Sequence, residues 1–149
     1  MILDEHELKK VVIDILTGQR LAVLSSNMND QPYPSLIAFA HSEDLRNLFF
    51  ATLRNSKKYE NIKNNPKVSM LIDNRGNSPS DISDAIAVSV FGKASETDIK
   101  DEHCVALYLN KHPYLKEFLS MPDCALLKIE VKKYQLVSNF QNVDTLLIG

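Results

Sequence analysis

The sequence predicts a mainly β fold, an antiparallel barrel with peripheral helices. Seven segments have the length and apolar pattern of strands, and most are joined by short turn-forming stretches. The helical segments between them do not alternate regularly with the strands, which argues against a doubly wound sheet. With 149 residues, 44% of them hydrophobic, the chain is expected to form one domain over residues 1–149 with a real core.

The elements follow in order. Asp4 and Glu7 make a capping-box-like start, and Leu8, Val11, Val12, Ile15 and Leu16 recur at the spacing of one helix face. Gly18 stands where a left-handed C-cap is expected. Residues 20–26 (R-L-A-V-L-S-S) and 33–41 (Y-P-S-L-I-A-F-A-H) read as a hairpin joined by N-M-N-D-Q-P. A polar turn at 42–46 precedes a strand at 47–52 (N-L-F-F-A-T). Ser56 then caps a short helix that Pro66 stops, and 67–73 (K-V-S-M-L-I-D) is a strand.

Residues 74–84 (N-R-G-N-S-P-S-D-I-S-D) form the longest turn-rich segment and are expected to be mobile. The strand at 85–94 carries Gly92 as a bulge. Residues 96–110 read as a helix with Ile99, His103, Ala106 and Leu107 on one face, and His112-Pro113 opens a second short helix through Leu119. Two strands, 125–131 and 134–140, close the chain around Lys132-Lys133. A barrel of this size fills its interior with side chains, so a ligand belongs on the rim, in a cleft against a helix, or at a subunit interface.

A net charge of −2 argues against a nucleic-acid binder driven by bulk electrostatics. No run approaches the ~18 apolar residues of a membrane span. The acidic, amphipathic start M-I-L-D-E-H-E-L-K-K is unlike a leader, so a cytoplasmic location without membrane contact is expected. Cys104 and Cys124 lack C-x-x-C spacing and read as small buried hydrophobes. His6, His41, His103 and His112 are scattered and read as capped or surface histidines rather than metal or haem ligands, and no metal site is expected.

The stretch T-L-R-N-S-K-K-Y-E-N-I-K-N-N-P carries the most chemistry. A strand delivers the Thr52 hydroxyl to the mouth of a helix capped by Ser56, where free backbone N–H groups lie beside Lys57 and Lys58. This suits a phosphate. A solvated lysine pair on an ordinary short helix is the plainer local reading of the same residues.

The order of segments settles more. The hairpin L-A-V-L-S-S … Q-P-Y-P-S-L-I-A-F-A, then L-F-F-A-T, S-K-K-Y-E-N-I, N-N-P-K-V-S-M-L-I-D and A-V-S-V-F-G-K-A-S-E resemble the FMN-binding split barrels related to pyridoxamine 5′-phosphate oxidase. The closing L-Y-L-N-K-H-P … C-A-L-L-K-I-E-V-K-K-Y-Q-L-V-S-N-F resembles their haem-utilisation branch.

The resemblance implies an antiparallel split β-barrel of the FMN-binding type. It also implies a homodimer with FMN in clefts between the subunits. By it, Ser56, Lys57 and Lys58 match the S-[RK]-K motif that holds the FMN phosphate, and Ala51 and Thr52 match the strand end near the phosphate and ribityl chain. Ser35, Leu36 and Ile37 match the strand whose backbone lies along the isoalloxazine. Ser89, with Val88 and Val90, matches a strand near the cofactor, and Asn61 matches a residue that satisfies backbone. Tyr59 is a candidate to cover a flavin edge. His112 has the strongest claim of the histidines, through the haem-like branch, although Pro at the first helical position explains the same pair.

The strand at 35–40 carries no charge and the chain holds no C-terminal R-x-H segment, so oxidation of B6 vitamers is not expected. No residue stands out as a catalytic acid or base. The expected function is an FMN-dependent oxidoreductase acting on a small substrate. The alternative is a non-catalytic flavin- or haem-binding module of the same fold.

Overall fold

Two consecutive left-handed residues, Asn29 (φ 50°) and Asp30 (φ 67°), turn the chain between β1 (Leu21–Met28) and β2 (Gln31–His41). Positive φ at both central positions is the geometry of a two-residue hairpin loop, which asparagine and aspartate tolerate. The loop is shorter than the six-residue connection expected, because Asn27, Met28, Gln31 and Pro32 are all drawn into the ladder. The computed structural model describes residues 3–149, so Met1 and Ile2 of the amphipathic start lie outside it.

Ahead of the hairpin, α1 (Glu5–Gly18) is capped by the Asp4 carboxylate, which accepts from the Glu7 backbone N–H at 2.8 Å. Gly18 is the last helical residue and has no positive φ, so the expected left-handed cap is absent, and the helix ends instead on extended Gln19. After the hairpin come β3 (Asn47–Leu53), α2 (Lys57–Asn64), β4 (Lys67–Asp73), α3 (Asp81–Asp84) and β5 (Ala87–Glu96). Then follow α4 (Glu102–Lys111), a 3-10 turn (Pro113–Leu115), α5 (Lys116–Leu119), β6 (Cys124–Ser138) and β7 (Asn142–Leu147).

All strand pairs are antiparallel, in the order β3-β2-β1-β4-β5-β6-β7, and β3 also pairs with β6. Six strands thus close into a barrel, with β7 outside it on β6. The interior is apolar: Leu24, Phe39, Phe50, Met70, Ile72, Val88, Leu127 and Tyr134 are buried together. Helix α1 packs against β2, β4 and β6, and α2 against β1, β3 and β5. Each set takes alternate strands of the barrel, so the two helices lie across its two mouths. A second cluster, Phe49, Cys104, Tyr108, Leu119, Cys124 and Leu126, joins α4 and α5 to the outside of β3 and β6. Both cysteines are buried and free, as expected.

Four further expectations change. Lys132-Lys133 is not a turn: β6 runs through it, and the pairing skips from Phe91↔Lys133 to Gly92↔Val131, leaving Lys132 as the extra residue of a bulge. Gly92 lies opposite, and a Cβ there would come within 2.3 Å of the Glu130 carbonyl oxygen. Helix α4 starts at Glu102, because β5 continues through Glu96. Its buried face carries Cys104 and Tyr108, one position away from the expected face, while Ile99 and His103 are exposed. The segment at 74–84 contains α3, and the Asp81 carboxylate ties it by accepting from Gly76 and Ser78 N–H at 2.9 and 3.0 Å.

Candidate functional site

Strands β2 and β3 pair only through Phe39↔Phe50, Ala40↔Phe49 and His41↔Leu48. Beyond this they part, β2 staying with β1 and β3 with β6. The barrel is therefore split, and the gap forms a groove of about 340 Å³. Leu36, Ile37 and Ala38 of β2 form one side and Ala51, Thr52 and Leu53 of β3 the other, with Ser56 and Lys58 at one end. Tyr108, Leu115 and Phe118, from α4 to α5, complete it.

Hydrogen-bond alternation fixes what the free edge of β2 offers. Across a two-residue hairpin loop, antiparallel partners exchange both backbone bonds at every second pair. Gln31, Tyr33, Ser35 and Ile37 thus direct their backbone groups to β1, and the Phe39 N–H donating to the Arg20 carbonyl (3.3 Å) continues the series. The intervening Pro32, Pro34, Leu36 and Ala38 face the split. Neither proline has an N–H to offer, so the donors on this edge are Leu36 and Ala38.

Tyr108 occupies the split itself. Its hydroxyl donates to the Ala38 carbonyl at 3.1 Å, and the Ala51 backbone N–H also faces the phenol oxygen. Ala38 and Ala51 are the pair that would come next in the ladder. Burial pushes the phenol pKa up to about 12, and the Ala51 N–H acts in the opposite sense. Next along the chain, buried His112 approaches the Phe39 carbonyl through Nε2 at 2.7 Å, and desolvation lowers its pKa.

The residues of the expected anion trap lie around the N-terminus of α2, but not all of them reach the groove. Ser56 is the N-cap of α2, its hydroxyl accepting from Tyr59 N–H at 3.4 Å and lying 2.9 Å from the buried Thr52 hydroxyl. The N–H groups of Lys57 and Lys58 have no backbone acceptor among the described residues. The two lysines diverge. Lys57 pairs with Glu60 at 3.6 Å outside the groove, whereas half-buried Lys58 lines it with no carboxylate in ion-pair range among the described residues.

Leu36, Ile37, Ala51, Thr52, Ser56 and Lys58 thus share one groove, and Ser35, Lys57 and Ser89 do not line it. Ser35 Oγ is buried without a hydrogen-bond partner among the described residues. Ser89 lies between Leu71 and Gln135 on the outer face of the sheet, while Val88 and Val90 are in the core. Asn61 donates to Ser26 Oγ at 3.2 Å, a side-chain bond rather than the backbone role expected. Tyr59 turns its hydroxyl to Glu96 at 2.6 Å. His41 has both ring nitrogens near partners, Thr17 Oγ1 at 3.3 Å and the Ser42 carbonyl at 2.9 Å, and burial lowers its pKa. His112 is fully buried, not a surface residue as expected. Tyr108, Leu115 and Phe118 had no local signal as site residues, since only tertiary packing brings them to the groove.

Residues 8–138 match the family model described as pyridoxamine 5′-phosphate oxidase. No curated protein matches the chain. Among solved structures, General Stress Protein 26 from Bacillus anthracis is 29% identical with a TM-score of 0.75, covering 95% of this chain and 99% of that one. A heme binding protein from Mycobacterium smegmatis has a TM-score of 0.82 at 12% identity, covering 99% of this chain and 59% of that one. Campylobacter jejuni ChuZ has a TM-score of 0.80 at 17% identity, covering 98% and 61%. The chain therefore spans about three fifths of the last two proteins. No helix among the described residues is long and apolar enough to cross a membrane. The match from the first buried turn of α1 to the end of β6, on a barrel split between β2 and β3, means that the chain belongs to the pyridoxamine 5′-phosphate oxidase family.

Proposed function

We propose that this protein is a cytoplasmic FMN-binding flavoprotein, a homodimer of single-domain subunits (residues 1–149) that acts as an oxidoreductase on a small substrate. The observation that carries the reading is the groove in the split. At one end are the ammonium of Lys58, the hydroxyls of Ser56 and Thr52, and unpaired N–H groups of the α2 N-terminus. Its walls are apolar, formed by Leu36, Leu53, Leu115 and Phe118. An anion at one end and a flat apolar ring along the rest is the ligand shape that such a lining fits.

The residues fit the group. Lys58, Ser56 and Thr52 would hold the phosphate, and the Leu36 and Ala38 N–H groups are the free-edge donors available to the ring's polar edge. Bound flavin would supply the electron-transfer chemistry, and the chain supplies binding, orientation and exclusion of water. No carboxylate or imidazole lines the groove among the described residues; its titratable groups are the Lys58 ammonium at the anion end and the Tyr108 phenol, whose proton is engaged by the Ala38 carbonyl.

The groove's open side supports the dimer. Leu36 there is 68% exposed, and Leu21 and Leu71 continue an exposed apolar strip over β1 and β4 that ends at Ser89 on β5. A second copy laid on this strip would cover the groove and account for Ser89 as a contributor from the other subunit. The free thiols of Cys104 and Cys124 agree with a reducing compartment.

The haem-binding alternative has a structural neighbour in its favour. Against it, the groove presents no imidazole, thiolate or thioether among the described residues, its Tyr108 phenol is engaged by the Ala38 carbonyl, and His41 and His112 are engaged elsewhere. Titration of the purified protein with FMN and haem in turn, followed by absorbance and then by NADPH addition, tests the reading. Saturable flavin binding and bleaching with NADPH are expected. Haem uptake without flavin binding would overturn it in favour of the binding module.

A further inference from the structure

The proposed phosphate end of the groove is held from behind by one carboxylate that touches neither the groove nor any residue assigned to it. Glu96, the last residue of β5, takes Arg54 side-on, with Nη2 to Oε2 at 2.7 Å and Nε to Oε1 at 3.3 Å. The same Oε1 accepts from the Tyr59 hydroxyl at 2.6 Å. Arg54 also donates to the Pro122 carbonyl at 2.9 Å. These partners flank the anion trap. Arg54 lies two residues before the Ser56 cap, and Tyr59 is the residue whose N–H that cap receives.

Glu96 therefore fastens the segment on both sides of the α2 N-terminus to β5. An exposed ion pair alone contributes little. This one is bidentate, shares its oxygen with a phenol, and fixes a turn whose direction decides where the Lys57 and Lys58 N–H groups and the Lys58 ammonium point. Arg54 and Tyr59 together hold the Glu96 carboxyl below its usual pKa, in keeping with a carboxylate committed to both partners. Glu96 also occupies Arg54, which is thereby withheld from the groove.

We infer that Glu96 is a positioning residue for the anion end of the groove, acting through Arg54 and Tyr59. The inference rests on the flavin reading above. A role in aiming the phosphate contacts separates FMN from riboflavin, which has the same ring and no phosphate, whereas a general loss of stability affects both ligands alike.

The test is the affinity of wild type, Glu96→Ala and Glu96→Gln for FMN and for riboflavin by fluorescence titration, with circular dichroism as the check on folding. Glu96→Ala is expected to weaken FMN about five- to tenfold with riboflavin unchanged, and Glu96→Gln, which keeps one acceptor, to fall between. Equal losses for both ligands, an unchanged FMN affinity, or tighter FMN binding through a released Arg54 would each overturn the inference while leaving the flavin reading intact. Misfolding of both variants would assign Glu96 to stability and overturn it too. Wild type that binds neither ligand would overturn the inference and the flavin reading together.

Discussion

The Tyr108 hydroxyl donates to the Ala38 carbonyl at 3.1 Å, in the place where the next β2–β3 ladder bond would form. Tyr108→Phe leaves that carbonyl without its donor at an apolar site, and a loss of about 1–2 kcal/mol is expected in urea unfolding. The pH dependence also changes. An acid whose pKa rises on folding, here from 10 to about 12, contributes stability that is fully present below pH 10 and lost as pH rises through 12. Tyr134, also shifted upward by burial, acts in the same direction. The variant should therefore lose stability less steeply than wild type between pH 10 and 12.

The two lysines of the anion trap should not be equivalent. Lys58→Ala removes the cation that lines the groove and should weaken FMN by ~1.5–3 kcal/mol, the range of one charge-assisted hydrogen bond. Lys57 is exposed and paired with Glu60, so Lys57→Ala should cost roughly 0.5 kcal/mol or less. Isothermal titration of the two variants separates them. Equal effects would contradict the placement of Lys58 alone in the groove.

Lys111 joins the two ends of the chain's helical cover. Its ammonium donates to the Leu16 carbonyl in the last turn of α1 at 2.8 Å and sits 3.8 Å from the Phe39 ring centroid. Burial first, and then the charge of Arg20, pull its pKa down to about 8, while the carbonyl and ring favour the charged form. A lysine whose pKa falls on folding contributes stability above 10.5 that is lost as pH falls through 8. In Lys111→Met the stem remains over Phe39 and the titration is gone. The stability difference, wild type minus variant, should climb between pH 8 and 10.5 in denaturant unfolding. A flat difference would show that Lys111 stays charged throughout.

Gly92→Ala places a methyl 2.3 Å from the Glu130 carbonyl oxygen, and that atom belongs to a strand paired on both sides. Backbone cannot yield as a side-chain tip would, so a loss on the order of 3 kcal/mol is expected by thermal unfolding.

Local rules were enough where one residue type decided the outcome. Ser56 and Pro66 bracket α2, the apolar alternation of Lys67–Asp73 gives β4 residue for residue, and the asparagine and aspartate after Met28 mark the hairpin. They failed where a strand is irregular. Lys132-Lys133 interrupts the apolar alternation as a turn would, yet a bulge carries β6 through. Reading Glu96 into a helix concealed its partnership with Arg54, a contact between residues 42 positions apart that no local pattern reports. In the site, the capped N-terminus of α2 with Ser56 and Lys58 at one end of the groove was legible because these residues are adjacent in sequence. The apolar wall was not, since Tyr108, Leu115 and Phe118 reach β2 only after α4 docks.

The β3–β6 seam joins the neighbouring strands that lie farthest apart along the chain. Loop-closure entropy makes such a contact the last to become favourable during folding, after the β1–β2 hairpin and the β4–β5 pairing have formed. Until it closes, Ala51, Thr52 and Leu53 have no fixed position and the groove has one wall. A ligand of the groove therefore recognises only the finished barrel. It should slow unfolding in proportion to its affinity and leave the refolding rate unchanged.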